Sequence, residues 1–181
     1  MLAILAGLPG VLRTRVGYAG GNSPNPTYQS IGDHSETIEI TFDPSLLSYE
    51  RLLDLFWEGH DPAGSAWSRQ YASILFYHSE EQRRLAEQSK AEQERRQGGP
   101  LQTEILPAGI FTQAEDYHQK YYLQNAVVLM QAVRPLLPAP QDLVTSTLAA
   151  RLNALVAGNL TRRELEQDLA VLGLDALPKS R

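Results

Sequence analysis

The sequence predicts an α+β domain over residues 1–134, followed by a helical C-terminal extension over 135–181. Three observations predict it. Period-two alternation, clearest from Glu36 to Phe42, marks strands. Among these stretches lie apolar positions at i, i+3, i+4 and i+7, as at Tyr49, Leu52, Leu53 and Phe56, the stripe of a core-facing helix. After Pro135 the alternation stops, and leucines recur at helical spacing.

Each element has its own signal. Met1 to Leu8 reads as the tail of a helix that the Pro and Gly of "GLPG" close. "VLRTRVGYAGG" reads as a strand running into a glycine turn. A loop rich in Pro, Asn and Ser follows from Asn22 to about His34, and then comes the alternating strand. "DPS" turns the chain into the helix that starts near Ser48. The "HDPAGSAWS" loop precedes a further strand, "RQYASILFYH". Ser79 and Gln82 make a capping box for a long helix rich in Glu, Gln and Arg, with Leu85 and Ala86 on one narrow buried edge. Glu80 with Arg84 and Glu92 with Arg96 are i,i+4 pairs, acid first, each worth a few tenths of a kcal/mol. "GGP" ends that helix, "LQTEILPA" gives a last strand, and Thr112 with Glu115 caps a short helix, "AEDYHQKYYLQ". "RPLLPAPQD" reads as a linker to two short helices. The first carries Leu148, Leu152 and Leu155 and ends at Gly158. The second opens on a Thr161/Glu164 capping box, carries Leu165, Leu169 and Leu172, and ends at Gly173.

Composition narrows the function. A chain of 181 residues suits one domain, and 43% hydrophobic with 20% charged residues is ordinary for a globular protein. A net charge of -5 argues against a sequence-independent nucleic-acid surface. No apolar run approaches the ~20 residues that span a bilayer, and "MLAILAGLPGVL" lacks the basic start of a signal peptide. The protein therefore reads as cytoplasmic, with neither nucleic acid nor membrane as partner, and a monomer is expected. There is no cysteine, which excludes disulfides, thiolate metal sites and a cysteine nucleophile within this chain. His34, His60, His78 and His118 show no zinc-binding spacing.

One acid stands out. Glu36 shares its strand parity with Ile38, Ile40 and Phe42, the face expected to meet a core. Burial disfavours a carboxylate's charged form, and a carboxyl that keeps its proton at neutral pH can serve as a general acid. The competing reading is that Glu36 sits at a frayed strand start, where parity means little. Tyr18, Tyr28 and Tyr71 lie near turns or strand ends, where their hydroxyls either converge on a pocket or tip packed rings into water. "GYAGG" fits a tight turn rather than a phosphate loop. His60-Asp61-Pro62 reads as a helix-end cap, and His118 as a solvated residue on a polar helix. These readings stop short of a reaction.

The phrases "GLPGVLRTRVGYAGG", "NPTY", "LSYERLLDLFW", "HDP", "RQYAS" and "AEDYHQKYY", in this order, carry a resemblance over roughly residues 1–125. They resemble the peptide-methionine (S)-S-oxide reductases, the A-type methionine sulfoxide reductases. The resemblance implies a ferredoxin-like two-layer α/β sandwich with a mixed sheet. It implies reduction of methionine S-sulfoxide, free or in proteins, with no bound cofactor and with thioredoxin or another dithiol as external reductant. In that family a cysteine of a "GCFWG" motif attacks the sulfur, and the resulting sulfenic acid is returned to thiol by further thiols. A glutamate in "GHAE" protonates the sulfoxide oxygen, and two tyrosines hydrogen-bond it. "DHSE" occupies the "GHAE" place, so the resemblance makes Glu36 the acid, and Tyr28 of "NPTY" and Tyr71 of "RQY" match the tyrosines.

Three departures accompany the match. "GHAE" has become "DHSE", the loop after "HDP" lacks the family's "GND" segment, and the cysteine motif is absent. The resemblance places that motif on an interior strand just upstream of Met1, whose loss would expose two backbone ladders. The expectation is therefore a fuller form of this chain, its start misplaced or a selenocysteine codon read as a stop. The alternative is a cysteine-free relative that holds the sulfoxide at Tyr28, Glu36 and Tyr71 without turnover. The leucine-striped tail is expected to dock on the domain or on a partner.

Overall fold

The computed structural model describes residues 2–64 and 66–171. In chain order these form α1 (Leu2–Ala6), β1 (Val11–Ala19), β2 (Ser35–Phe42), α2 (Tyr49–Glu58), β3 (Ile74–Tyr77), α3 (Glu80–Gln97), β4 (Glu104–Pro107) and β5 (Thr112–Gln113). The helices α4 (Tyr121–Asn125), α5 (Val127–Val133), α6 (Pro140–Thr145), α7 (Thr147–Val156) and α8 (Arg162–Val171) follow. Short 3-10 turns occupy Arg69–Tyr71, Asp116–His118 and Arg134–Leu136. The fold class is α+β, as expected. Its sheet is mixed in direction but divided: β2-β1-β5 form one ladder and β3-β4 another. β1 and β5 run antiparallel, with Gly17 opposite Gln113 and Tyr18 opposite Thr112, while β3 and β4 are parallel. Among the described residues, no helix is long and apolar enough to cross a membrane.

Contacts divide the chain into two compact units, and β1 and β2 each contribute residues to both. One unit comprises Val16–Thr37 and Ser48–Ala114. Its parallel pair needs a crossover, which α3 supplies by packing on both β3 and β4. The N-cap Ser79 accepts a hydrogen bond from the Gln82 N–H at 3.2 Å, as the capping box requires. The Gln82 carbonyl oxygen, however, accepts from the His78 N–H, one residue before the expected donor. Arg83, not Arg84, pairs with Glu80, and it also binds Glu87 at 2.9 Å. Gly98 closes the helix in the left-handed region, at φ 75°. Against α3 lies α2, capped by Ser48; its buried residues are Leu52, Leu53 and Trp57, while Phe56 is only half-buried. The strand expected from Arg69 begins only at Ile74, because Arg69–Tyr71 turns instead.

Thr112 does not cap a helix. It pairs with Tyr18, so that the helix expected after it starts late, at Tyr121. Close approach at this pairing requires glycine. A Cβ on Gly17 would run into the Thr112 carbonyl oxygen and the Phe111 ring.

The other unit comprises the chain up to Arg15, Ile38–Leu47 and everything from Glu115 onward. Its core gathers Ala6, Leu123, Val133, Leu137 and Leu143 around α7, with Leu160 and Leu165. Residues Leu148 to Ala154 of α7 are buried without interruption, which no one-sided amphipathic helix achieves. Its neighbours α1, α4, α6 and α8 supply the cover. Two polar groups on α7 satisfy backbone groups beside it: Arg151 donates to the Ala6 carbonyl at 3.3 Å, and Asn153 Oδ1 accepts from the Leu123 N–H at 3.2 Å. The segment expected to be a linker after Pro135 is largely helical, and the C-terminal helices share a core with α1. The Thr161/Glu164 capping box forms as expected. The side chain of Leu169, with Leu172 and Gly173, lies outside the described residues. His118, expected to be solvated, is half-buried in the Asp116–His118 turn against the Tyr117 ring.

Candidate functional site

The site is built where the first residues of β2 meet the Arg69–Tyr71 turn. Ser35, fully buried, donates its hydroxyl proton to the Arg69 carbonyl at 2.6 Å, which brings Glu36 beside Gln70 and Tyr71. The Arg69 guanidinium is paired with Glu104, the first residue of β4, so the turn is held from both sides.

The approach to β2 is held equally firmly. The carboxylate of Asp33 accepts the N–H groups of Asn22 and Ser23 at 2.8 and 2.9 Å and the Ser23 hydroxyl at 2.7 Å. The Ser23 hydroxyl first, then the two backbone donors, hold its carboxyl well below the usual carboxylate range. Next in the chain, buried His34 accepts from the Gly21 N–H at Nδ1 and donates from Nε2 to the Ser23 carbonyl at 2.8 Å, which fixes a neutral tautomer. The "DH" of "DHSE" is thus the clasp of the 20–34 loop.

Glu36 itself departs from expectation. It is exposed, Ser35 before it is buried, and residues 37–42 are all half-buried, so the burial alternation read from the sequence is absent. The first residue of a strand faces whatever closes the strand's end, and here that is a polar side chain. Gln70 Nε2 donates to Glu36 Oε1 at 2.6 Å and to the Tyr71 hydroxyl at 3.2 Å. The apolar surroundings on which the general-acid argument rested are therefore not what surrounds this carboxylate. Tyr28 and Tyr71 are 43% and 42% exposed. The Tyr71 phenol is raised by partial desolvation, then by a hydrogen bond with Tyr28, then by the charge of Glu36. Three of the four residues singled out in the sequence, Tyr28, Glu36 and Tyr71, are thus within one cluster, while Tyr18 is buried in β1 opposite Thr112. Gln70 joins them unannounced, since an uncharged residue in a turn gives no sequence signal. Trp67 packs its ring on that of Tyr71, with centroids 4.8 Å apart, and is otherwise 82% exposed.

His60 keeps its expected place at the end of α2, donating from Nδ1 to the Phe56 carbonyl at 2.8 Å. Its Nε2 accepts from Ser73, whose oxygen lies 2.8 Å from the Thr103 hydroxyl. Among the described residues no cluster of His, Asp or Glu could hold a metal ion.

The family model described as peptide methionine sulfoxide reductase matches residues 1–141. The chain belongs to this family. A peptide methionine sulfoxide reductase of Drosophila melanogaster is 44% identical over 167 residues, covering 91% of this chain and 67% of the fly protein. A rice relative, peptide methionine sulfoxide reductase A5, is 43% identical over 83% of this chain and 61% of its own length. Among solved structures, Mxr1 of Saccharomyces cerevisiae in reduced form superposes with a TM-score of 0.60 at 28% identity, covering 65% of this chain and 73% of the yeast chain. The methionine sulfoxide reductase A of Corynebacterium diphtheriae gives 0.54 at 32% identity, covering 65% of each chain. The family is one of oxidoreductases, and the present chain holds none of the cysteine that thiol chemistry requires.

Proposed function

We propose that Tyr28, Glu36 and Tyr71 form the oxygen-binding half of a peptide-methionine (S)-S-oxide reductase site. The sulfoxide oxygen accepts hydrogen bonds from the two phenols, and Glu36 delivers the proton that lets it depart from sulfur. The attacking thiolate is not in this chain, which has no cysteine. Over a full cycle one sulfoxide and two thiols give one thioether, one disulfide and one water, so a dithiol such as thioredoxin supplies the electrons. The substrate is methionine S-sulfoxide, free or in peptides, and the chain acts as a cytoplasmic monomer. The observation that supports this reading best is the Gln70 amide bridging Glu36 and Tyr71, which draws an acid and a phenol to one point.

A titration of the 181-residue chain with the S and R epimers of N-acetylmethionine sulfoxide methyl ester tests it. The S epimer is expected to bind better. Tyr28→Phe and Tyr71→Phe should each weaken it about 5- to 10-fold, the worth of one hydrogen bond, and Glu36→Gln by less than about 3-fold, since an amide still donates to the oxygen. Equal affinity for both epimers, or no loss in either phenylalanine variant, refutes the site. With dithiothreitol present, the chain should consume no sulfoxide beyond buffer. The absent thiol also favours a second reading, a module that binds the sulfoxide without turning it over. A chain extended at its N-terminus by a "GCFWG" strand separates the two. If turnover returns, Glu36→Gln should slow it about 10²- to 10⁴-fold; intact binding without turnover leaves the module.

A further inference from the structure

The geometry points to Gln70 as a positioning residue that sets the direction of the hydrogen bonds at the sulfoxide oxygen, an inference that rests on the reading just proposed. Its Nε2 lies 2.6 Å from Glu36 Oε1 and 3.2 Å from the Tyr71 hydroxyl. A primary amide nitrogen has two N–H donors, and both are used here. The orientation follows from the partner, because a carboxyl oxygen that bears no proton only accepts, so the nitrogen rather than the oxygen of the amide faces Oε1.

Two consequences follow for proton positions. The Tyr71 oxygen accepts from Gln70, so its own proton points away from Gln70 and is the one to donate to the sulfoxide oxygen. At the other end, Gln70 occupies Oε1 of Glu36, which leaves Oε2 as the oxygen that carries an acidic proton. One amide thus aims two donors, the Tyr71 hydroxyl and Glu36 Oε2–H, and a sulfoxide oxygen has lone pairs for both. The neighbouring charges are otherwise engaged: Arg69 pairs with Glu104, and Asp33 binds Ser23 and Asn22.

A merely structural Gln70 would affect affinity but leave the bound oxygen's hydrogen bonds alone, so the test reads the oxygen. The S epimer of methyl p-tolyl sulfoxide, with and without ¹⁸O, is bound to the full 181-residue chain, and isotope-edited infrared difference spectra give the S=O stretch. On the wild type, two donors should lower that frequency from its value in water-saturated solvent. Gln70→Met, of similar length but without donors, should weaken binding about 10-fold and return the band most of the way. In wild type, the Gln70 side-chain amide resonances should shift on adding the sulfoxide, a measurement that needs no variant. A Gln70→Met band at the wild-type position, or unmoved Gln70 amide resonances, overturns the inference while Tyr28→Phe can still weaken binding and uphold the site. A wild-type chain that does not bind the S sulfoxide overturns both.

Discussion

Lys120 shows how much one side chain decides. It is 1% exposed, adopts a left-handed backbone at φ 48°, and donates from Nζ to the carbonyls of Thr14 and Val144. Burial, with repulsion from Arg13 second, pushes its ammonium down to about 8. Its pKa in the unfolded chain is about 10.4. Between those values the unfolded chain binds the extra proton, so stability must rise with pH from about 8 to about 10.4. Below about 8 the cost of the buried charge is paid in full and does not change. Urea unfolding at pH 7.5 and 9.5 should show the wild type gaining about 2 kcal/mol relative to Lys120→Met over that interval. Two parallel pH profiles would show that Lys120 holds its proton in the folded chain as firmly as in the unfolded one. At this scale the sequence was informative where a residue acts on near neighbours. Ser48, Ser79 and Thr161 cap as their spacing predicts, and His60 closes its helix. It was misleading at Glu36, where parity said nothing about the first position of a pattern, and silent about Gln70, whose partner Glu36 is distant in sequence.

At the scale of elements, the strands and helices were legible because periodicity is a local property. Partners were not. Thr112-Gln113-Ala114-Glu115 has the letters of a capping box, but pairing with Gly17 and Tyr18 recruits the first two as β5. That pairing makes Gly17 the most exacting position of β1. Gly17→Ala forces its methyl group against the Thr112 carbonyl and the Phe111 ring, and neither can yield without opening the ladder. Overpacking of this kind costs about 1–3 kcal/mol, which should lower the melting midpoint by roughly 2–10 °C for a chain of this size. Differential scanning calorimetry of Gly17→Ala reads it directly, and an unchanged midpoint would mean that β5 does not pair as described. Gly109→Ala, where nothing lies within 4 Å of the added carbon and the backbone is not left-handed, should leave the midpoint unchanged and serves as the control.

For the whole molecule, leucine stripes announced the C-terminal helices but not what they cover. Docking on the domain and docking on a partner were both open in the sequence, because helical spacing records how many faces are apolar, not which element meets them. Leu143, Leu148, Leu152, Leu160 and Leu165 all lie in the core that includes Ala6 and Leu123. At about 2 kcal/mol for each buried leucine, their loss is worth about 10 kcal/mol, comparable with the ~5–15 kcal/mol stability of a typical domain. A chain ending at Arg134 should therefore lack a cooperative thermal transition, whereas the 181-residue chain should have one. Matching transitions by near-ultraviolet circular dichroism would show that the helices after residue 134 are dispensable.

The molecule also contains its own optical instrumentation. It has two tryptophans, and they are opposites: Trp57 is 5% exposed with its indole N–H on Ser89, and Trp67 is 82% exposed on the Tyr71 ring. Emission from Trp57 is shifted to the blue and out of reach of acrylamide, while Trp67 emits to the red and is quenched freely. Global unfolding moves the first signal, and events at Tyr71 move the second. A single cuvette can thus tell a ligand that occupies the cluster from one that merely changes the fold.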